Sequence, residues 1–377
     1  MNIQRIFISI PWFTPAYKAG GPIQSILNLV TIPQENMEYF VFTSNRDLNN
    51  EKLENIESNN WYQFNEQTKV FYSKRVGRAD VLMAQVKLVQ PNVLYAIGLF
   101  NWHFNIMPIF FCRANKKILS VRGMLHTGAL QQKALKKNLF LAFVKMMGLR
   151  QLSAFHATNE VELGFIKEVF GKNANIHLAA NYPRLFQRGN PVLKTAGQLE
   201  LVSICLISKM KNILLVIESL QFCEQTMHYH IHGDIKDAVY WQSCVAAIKN
   251  LPAHIKVSYH GALPASQVEG VLHGMHVCIQ PSDSENYGHS MVEALSAGLP
   301  LITSENTPWL NLQEEYAGVN VVLHPTAISK AIDRFARMNQ EEFDGMSAAA
   351  AAYIHKRINL EETNQQYQRM FNADDGY

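Results

Sequence analysis

The 377-residue sequence predicts an α/β protein built as two Rossmann-like, doubly wound parallel-sheet domains that face a cleft. Three observations predict it. Short apolar runs alternate with longer stretches of helical spacing, the pattern of strand–helix–strand units in a parallel sheet. That rhythm breaks at 182–197, YPRLFQRGNPVLKTAG, where two prolines and two glycines mark a linker. The length suits two domains better than one.

Taken in order, RIFISI reads as a first strand and GGPIQSILNLV as a helix opening near Pro22, a residue favoured in a first turn. EYFVFTS, NVLYAIGL, KKILSV and the shorter SAFHAT continue as strands, and NEVELGFIKEVFG as a helix. After the linker the rhythm restarts. LELVSICLI, HYHIHG, IKVSYHG, HVCIQPS and PLITS are strands. KNILLVIESLQF, DAVYWQSCVAAIKN, ASQVEGVLHG and SMVEALSAG are the helices between them. The tail from about Gln340 is helical, with MSAAAAAYIH rich in a strong helix former. The expected domains are 1–185 and 198–359, with a last helix at about 360–377 packing back on the first.

The hydrophobic content of 48% and charged content of 17% exclude a disordered or fibrous chain. No short-period repeat points to a solenoid or propeller. The five cysteines (Cys112, Cys205, Cys223, Cys244, Cys278) form no CxxC pair, which argues against a disulfide framework or a cysteine zinc site and fits a reducing cytoplasm. The start, MNIQRIFISIPWF, reads as a buried strand rather than a signal peptide, and no apolar run approaches the ~20 residues that span a bilayer. Charge is uneven. Residues 1–190 carry a net +11 and residues 191–377 a net −8, within an overall +3. A basic front half suits phosphates or anionic lipid. It carries no nucleic-acid-binding motif, so no nucleic acid is expected as a partner.

The densest chemistry lies at 281–300, PSDSENYGHSMVEALSAGLP. A strand ends before it and a helix begins within it, so the loop lies at the carboxyl end of a parallel strand, where open α/β sheets bind ligands. Backbone amides near Gly288, His289 and Ser290 are the unsatisfied donors of a new helix and a natural seat for phosphate. Glu285 and Glu293 sit on either side of Gly288. A carboxylate is an acceptor with two oxygens, matched to a vicinal diol. One acid per diol around a diphosphate reads a sugar nucleotide.

ENYGHSMVEALSAGLPLITSENTPW resembles the signature of retaining glycosyltransferases of family four, whose hallmark is Glu, seven residues, Glu. GLP, TPW, YHIHGDIKDAVYWQSC, LPAHIKVSYHGAL, FTPAYKAGGPIQSI and VRGMLHTGAL are similar to the branch that builds bacterial surface polysaccharide. The resemblance implies the GT-B fold and a donor that is a UDP- or GDP-sugar. It implies that Glu285 contacts donor-sugar hydroxyls, that Glu293 contacts the nucleotide ribose, and that Asn286, Tyr287, Gly288, His289 and Ser290 hold sugar and phosphates. Gly20 and Gly21 match the N-terminal loop that closes on diphosphate and acceptor. Lys211 matches the basic residue that neutralises the leaving diphosphate in place of a metal, and no Asp-x-Asp appears in the chain, so no metal cofactor is expected. Gly233 and the turn Gly261–Leu263 resemble loops flanking the base.

Two departures stand out. Leu206 occupies the place of a usual arginine five residues before Lys211, where Lys209 is a solvated helix lysine or a substitute. Arg122 replaces a usual histidine, and it is taken as a catalytic-site residue without an assigned role; it stays protonated and cannot act as a base. His126, His156 and Glu160 are candidates for the acceptor side. The implied reaction moves a sugar to a glycan or polyprenyl-diphosphate-linked acceptor, with retention. The basic stretch 130–152, with Lys133, Lys136, Lys137, Lys145 and Arg150 among Leu, Phe and Met, suits an anionic membrane surface, which makes the protein cytoplasmic with a peripheral membrane association. Two alternatives stay open: another GT-B enzyme such as a sugar-nucleotide epimerase, and a non-catalytic sugar-nucleotide-binding protein.

Overall fold

The computed structural model describes residues 3–74, 79–131, 134–190 and 192–372. The chain forms two compact units, one from residues 1–182 and 359–377, the other from residues 183–358.

The first unit holds eight strands: β1 (Gln4–Ser9), β2 (Met37–Ser44), β3 (Trp61–Asn65), β4 (Thr68–Ser73), β5 (Val93–Ile97), β6 (Lys116–Ser120), β7 (Ala154–Ala157) and β8 (Ile176–Leu178). They lie in the order β3-β4-β2-β1-β5-β6-β7-β8. All neighbours are parallel except the β3–β4 hairpin at the edge. Helices α1 (Gly21–Thr31), α2 (Ala79–Val89), α3 (Met107–Phe111), α4 (Thr127–Gln131), α5 (Ala134–Met146), α6 (Leu149–Leu152) and α7 (Glu160–Phe170) connect them. Successive strand residues feed opposite faces. Phe7, Leu94, Ala96 and Phe155 enter one core, and Ile6, Ile8, Tyr95 and Ile97 the other. The hairpin and β8 extend the five strands that the sequence rhythm predicts here. β3 and β8 are short edge strands, exposed or half-exposed along their length, so they lack a continuous apolar run, whereas β4 is an inner strand buried at every position but Lys69.

The second unit is wholly parallel: β9 (Gln198–Ile204), β10 (Thr226–His232), β11 (Ile255–Tyr259), β12 (Val277–Gln280), β13 (Leu301–Ser304) and β14 (Gly318–Val321), in the order β11-β10-β9-β12-β13-β14. Helices α8 (Ile213–Leu220), α9 (Ala238–Ile248), α10 (Val268–Leu272), α11 (His289–Ser296), α12 (Pro325–Arg337) and α13 (Gln340–Arg357) cover it. Side-chain caps set several starts: Asp237 accepts from Tyr240 N–H at α9, and Asn339 with Glu342 forms a capping box at α13. The stretch expected as a linker packs on this unit. Lys194 Nζ donates to the carbonyls of Thr195, Ala336 and Met338, and Phe186 N–H donates to Ser296 Oγ at 3.0 Å.

The chain then returns to the first unit as α14 (Leu360–Phe371). Its Tyr367 stacks on Tyr182 at 4.8 Å, and Phe371 packs edge-on against Tyr95 at 5.4 Å. All four rings are fully buried, so this helix completes the first unit's core. Among the described residues no helix is long and apolar enough to cross a membrane.

Candidate functional site

The loop at the carboxyl end of β12 organises a polar cluster in the second unit. β12 is an all-buried strand, VCIQ, that ends on a glutamine. Gln280 is 1% exposed, so its amide needs partners at that depth. Its Nε2 donates to Glu285 Oε1 at 2.9 Å, and its Oε1 accepts from Ser290 Oγ at 3.0 Å. Ser282 Oγ donates to the same Glu285 oxygen at 3.0 Å. Lys211 Nζ donates to it as well, in an ion pair whose two side chains are mostly shielded.

Lys211 reaches Glu285 because its own loop is stapled to this one. Asn212 adopts the left-handed conformation, φ 55°, and its Nδ2 donates to Pro281 O at 2.9 Å and Asp283 Oδ1 at 2.7 Å. Asp283 N–H donates to Met210 O at 2.9 Å. Burial alone would push the Lys211 ammonium down, but the Glu285 carboxylate holds it above its ordinary value. Lys209 is exposed, as befits a solvated lysine, and Leu206 is half-buried.

Gly288 turns the loop into α11. Its backbone is left-handed, φ 74°, and a Cβ there would meet Met291 Sδ at 2.9 Å, so a larger residue would be strained. Its carbonyl accepts from Met291 N–H and Val292 N–H, which opens the helix over His289 and Ser290. The first turn carries no acidic side chain and no side-chain cap, leaving the positive end of the helix dipole unopposed by the helix itself. The Tyr287 ring lies 4.8 Å from that of His289 and 5.7 Å from Trp309, whose Nε1 donates to Tyr287 O.

Glu293 sits one turn into α11 and is 5% exposed. Burial pushes its carboxyl up to about 7, with Arg184 pulling the other way. Desolvation favours the neutral acid, so ionising this carboxyl is costly unless a ligand supplies donors to it. β9 neighbours β12 in the sheet, and the loops after β9, β10 and β11 press together. Gly233, φ 145°, has no room for a Cβ, which would fall 1.7 Å from Cys205 O. Its N–H donates to Gly261 O at 2.7 Å, and Leu263 packs half-buried against the α11 core.

In the first unit, Gly20 is the N-cap of α1 and Gly21 its first residue, with open space around Gly21. Arg122 follows β6 in a left-handed conformation, φ 50°. Its guanidinium points into the unit, donating to Asn181 Oδ1 and, at 2.8 Å, to Tyr95 Oη. Glu162, 2% exposed, braces the turn by accepting from Gly123 N–H, Thr158 N–H and Thr158 Oγ1.

His156 is a correction. The acceptor-side expectation needs an accessible ring, yet His156 is fully buried, bonded to Tyr95 Oη at 2.6 Å, Ser120 Oγ at 3.1 Å and Ala179 O at 2.8 Å. Burial holds its imidazole well below the ordinary value, so it is a neutral core group. Glu160 is exposed at the first position of α7, and His126 is half-buried, its Nδ1 accepting from Gly128 N–H at 3.2 Å. In the 130–152 stretch, Lys133 lies outside the described residues.

The structure thus joins Lys211, Glu285 and Ser290 in one cluster, and adds Gln280, Ser282 and Asn212, which the sequence does not single out. A polar residue closing an otherwise apolar buried strand is the signal that finds Gln280.

Residues 190–353 match the family model described as glycosyl transferases group 1. No curated protein sequence matches the chain. Solved structures with the same fold include a sucrose-phosphate synthase from Thermosynechococcus elongatus, 13% identical, covering 98% of each chain with a TM-score of 0.73. Anabaena HepE, solved with UDP and glucose, is 14% identical over 97% of this chain and 99% of its own, TM-score 0.70. WaaG, a glycosyltransferase involved in lipopolysaccharide biosynthesis, is 11% identical over 99% of this chain and 100% of its own, TM-score 0.68. The fold is GT-B.

Proposed function

We propose that this chain, a GT-B fold whose second unit carries a group 1 glycosyl transferase domain, moves a sugar from a UDP- or GDP-sugar to a glycan or lipid-linked glycan acceptor with retention. One observation carries the reading. Lys211 and Glu285 are paired beside the amide end of α11, with a buried Glu293 one turn along the same helix. In this reading the helix end and Lys211 hold the diphosphate. An ammonium has three N–H donors, so its bond to Glu285 leaves two for phosphate oxygens. Glu285 orients sugar hydroxyls, and Glu293 accepts from the ribose diol. HepE, solved with UDP-glucose, supports a nucleotide-sugar donor for this fold.

The chemistry follows from that charge placement. The bond from the anomeric carbon to phosphate oxygen breaks, the acceptor oxygen bonds on the same face, and the departing phosphate oxygen takes the acceptor's proton. Lys211 stabilises the charge that develops on that oxygen, the work a metal would do elsewhere. The protein's part is positioning and electrostatics. A second reading, donor binding without transfer, is favoured by Arg122, whose guanidinium is spent on Tyr95 and Asn181.

A thermal-shift screen of UDP, GDP and their sugar conjugates separates these. One nucleotide family should raise the melting temperature in proportion to the logarithm of its concentration. Release of that nucleoside diphosphate in the presence of glycan acceptors then identifies transfer, and binding without release identifies the second reading. No shift with any of them would sink both.

The acceptor is proposed to be met at a cytoplasmic membrane surface. Leu135 (75% exposed), Leu139, Phe143 and Met146 (80% exposed) recur along one side of α5 at helical spacing, flanked by exposed Lys136, Lys145 and Arg150. An apolar stripe bordered by lysines suits the headgroup layer of anionic lipid. The chain should sediment with anionic but not zwitterionic phospholipid vesicles, and Leu139→Asp should abolish it. Equal sedimentation of parent and variant would remove the membrane role.

A further inference from the structure

The second unit carries a cluster that the donor site does not use. On β10, His228 and His230 alternate with the buried Tyr229 and Ile231, so the two-residue period puts both imidazoles on one face. Glu200 of β9 lies opposite His228 in the ladder. His230 Nε2 is 2.8 Å and His228 Nδ1 3.5 Å from the same Glu200 oxygen. One donor atom from each of the three residues lies within 4.8 Å of the others. A tetrahedral ion with bonds of about 2.0–2.1 Å wants its ligand atoms roughly 3.3 Å apart, and the 2.8 and 3.5 Å separations to Glu200 bracket that value.

The far nitrogens are also engaged. His228 Nε2 is 2.8 Å from Ser258 Oγ, and His230 Nδ1 is 3.0 Å from His260 Nε2. Outer partners of this kind fix which nitrogen faces inward, as around metal-bound histidines. The His260 ring stacks on His230 at 5.2 Å and on His232 at 4.5 Å, which holds the group rigid. The rings of His228 and His230 are 3.8 Å apart, an arrangement unfavourable for two imidazolium ions.

We infer that Glu200, His228 and His230 form a binding site for one divalent first-row transition-metal ion, such as Zn²⁺, that cross-links β9 and β10. Two imidazoles and one carboxylate select zinc, cobalt, nickel or copper over the all-oxygen preference of magnesium and calcium. The ion has no part in the transfer chemistry. Glu200 is the third residue of β9, and the loop bearing Lys211 leaves the strand's other end after Ile204, roughly 13 Å farther on at the strand rise. Its effect is to pin the β9–β10 ladder and, through His260, the neighbouring Gly261 turn.

The test is a titration of the tag-free full chain with Co²⁺, followed by visible absorption and by competition with Zn²⁺. One equivalent should bind and give ligand-field bands of nitrogen and oxygen ligation, and Zn²⁺ should displace it. His228→Ala and His230→Ala should each weaken Co²⁺ binding by at least about tenfold, and Ser258→Ala by about tenfold. These residues are only partly buried, and circular dichroism checks that each variant is folded. Absence of saturable binding would overturn the site. So would intense sulfur-to-metal bands, which place the ion on a cysteine, or an affinity unchanged in both folded histidine variants.

Discussion

Replacing Lys211 with alanine should lower the rate of sugar transfer by about 10²–10³-fold, while donor affinity changes far less. The magnitude is that of removing one preorganised charge from the place where an oxyanion develops, about 3–4 kcal/mol of barrier. The rate suffers most because the leaving oxygen gains its charge only in the transition state. Stability falls too. Glu285 keeps its bonds from Gln280 and Ser282 but loses its counter-charge in a shielded site, at a cost of about 1–3 kcal/mol. The two effects separate in a pair of variants. Lys211→Arg keeps the positive charge and should recover much of the stability, but its planar fork seats differently and should recover only part of the rate. Single-turnover kinetics and urea midpoints on the same preparations provide the check. An unchanged turnover in a folded Lys211→Ala protein would take Lys211 out of the chemistry and leave it a structural partner of Glu285.

Why that pair could be reached from sequence, while its surroundings could not, is a matter of spacing. The junction at 280–298 is legible because local rules converge: a buried apolar run stops, a glycine takes a left-handed turn, and apolar residues resume at helical spacing. Alternating elements likewise specify the parallel sheets. Gln280 and Asn212 are harder to read, since their value lies in contacts between loops 69 and 71 residues apart along the chain for Asn212, and in the depth at which β12 ends for Gln280. Glu162 hides for another reason. An acid in the first turn of a helix is ordinary dipole chemistry, and nothing local shows that it reaches back to brace the Arg122–Gly123 turn. His156 misleads because its strand, AFHA, is buried at every position, so a polar residue near the strand end lies within the core and not at the rim. The edge strands β3, β8 and β14 elude the rhythm because edge strands are short and carry mixed polarity.

Binding of a sugar-conjugated nucleoside diphosphate should tighten as pH rises from 6 to 8, by up to about tenfold, and Glu293→Gln should flatten the profile. The sign follows from the carboxyl itself. Burial raises Glu293 from the ordinary 4.5 to about 7 in the unliganded chain, so the protonated form dominates below neutrality. A ribose diol donates two hydrogen bonds and prefers the carboxylate, so binding below pH 7 must first release a proton, at a cost of about 1.4 kcal/mol per pH unit. The same shift acts oppositely on folding. Because the folded pKa lies above the unfolded one, the native state holds more protons than the unfolded state between about 4.5 and 7. Stability therefore declines across that window, by on the order of 3 kcal/mol once the group is ionised. Glu293→Gln, which cannot ionise, should thus be the more stable protein at pH 8 while binding the donor more weakly. Opposite movements in stability and affinity distinguish a carboxylate held ready for a ligand from one that merely packs. The conjugate is used because a terminal phosphate titrates near 6 and would add its own slope. A slope that persists unchanged in Glu293→Gln, or a parent profile that is already flat, would mean that the Glu293 carboxylate does not meet the donor.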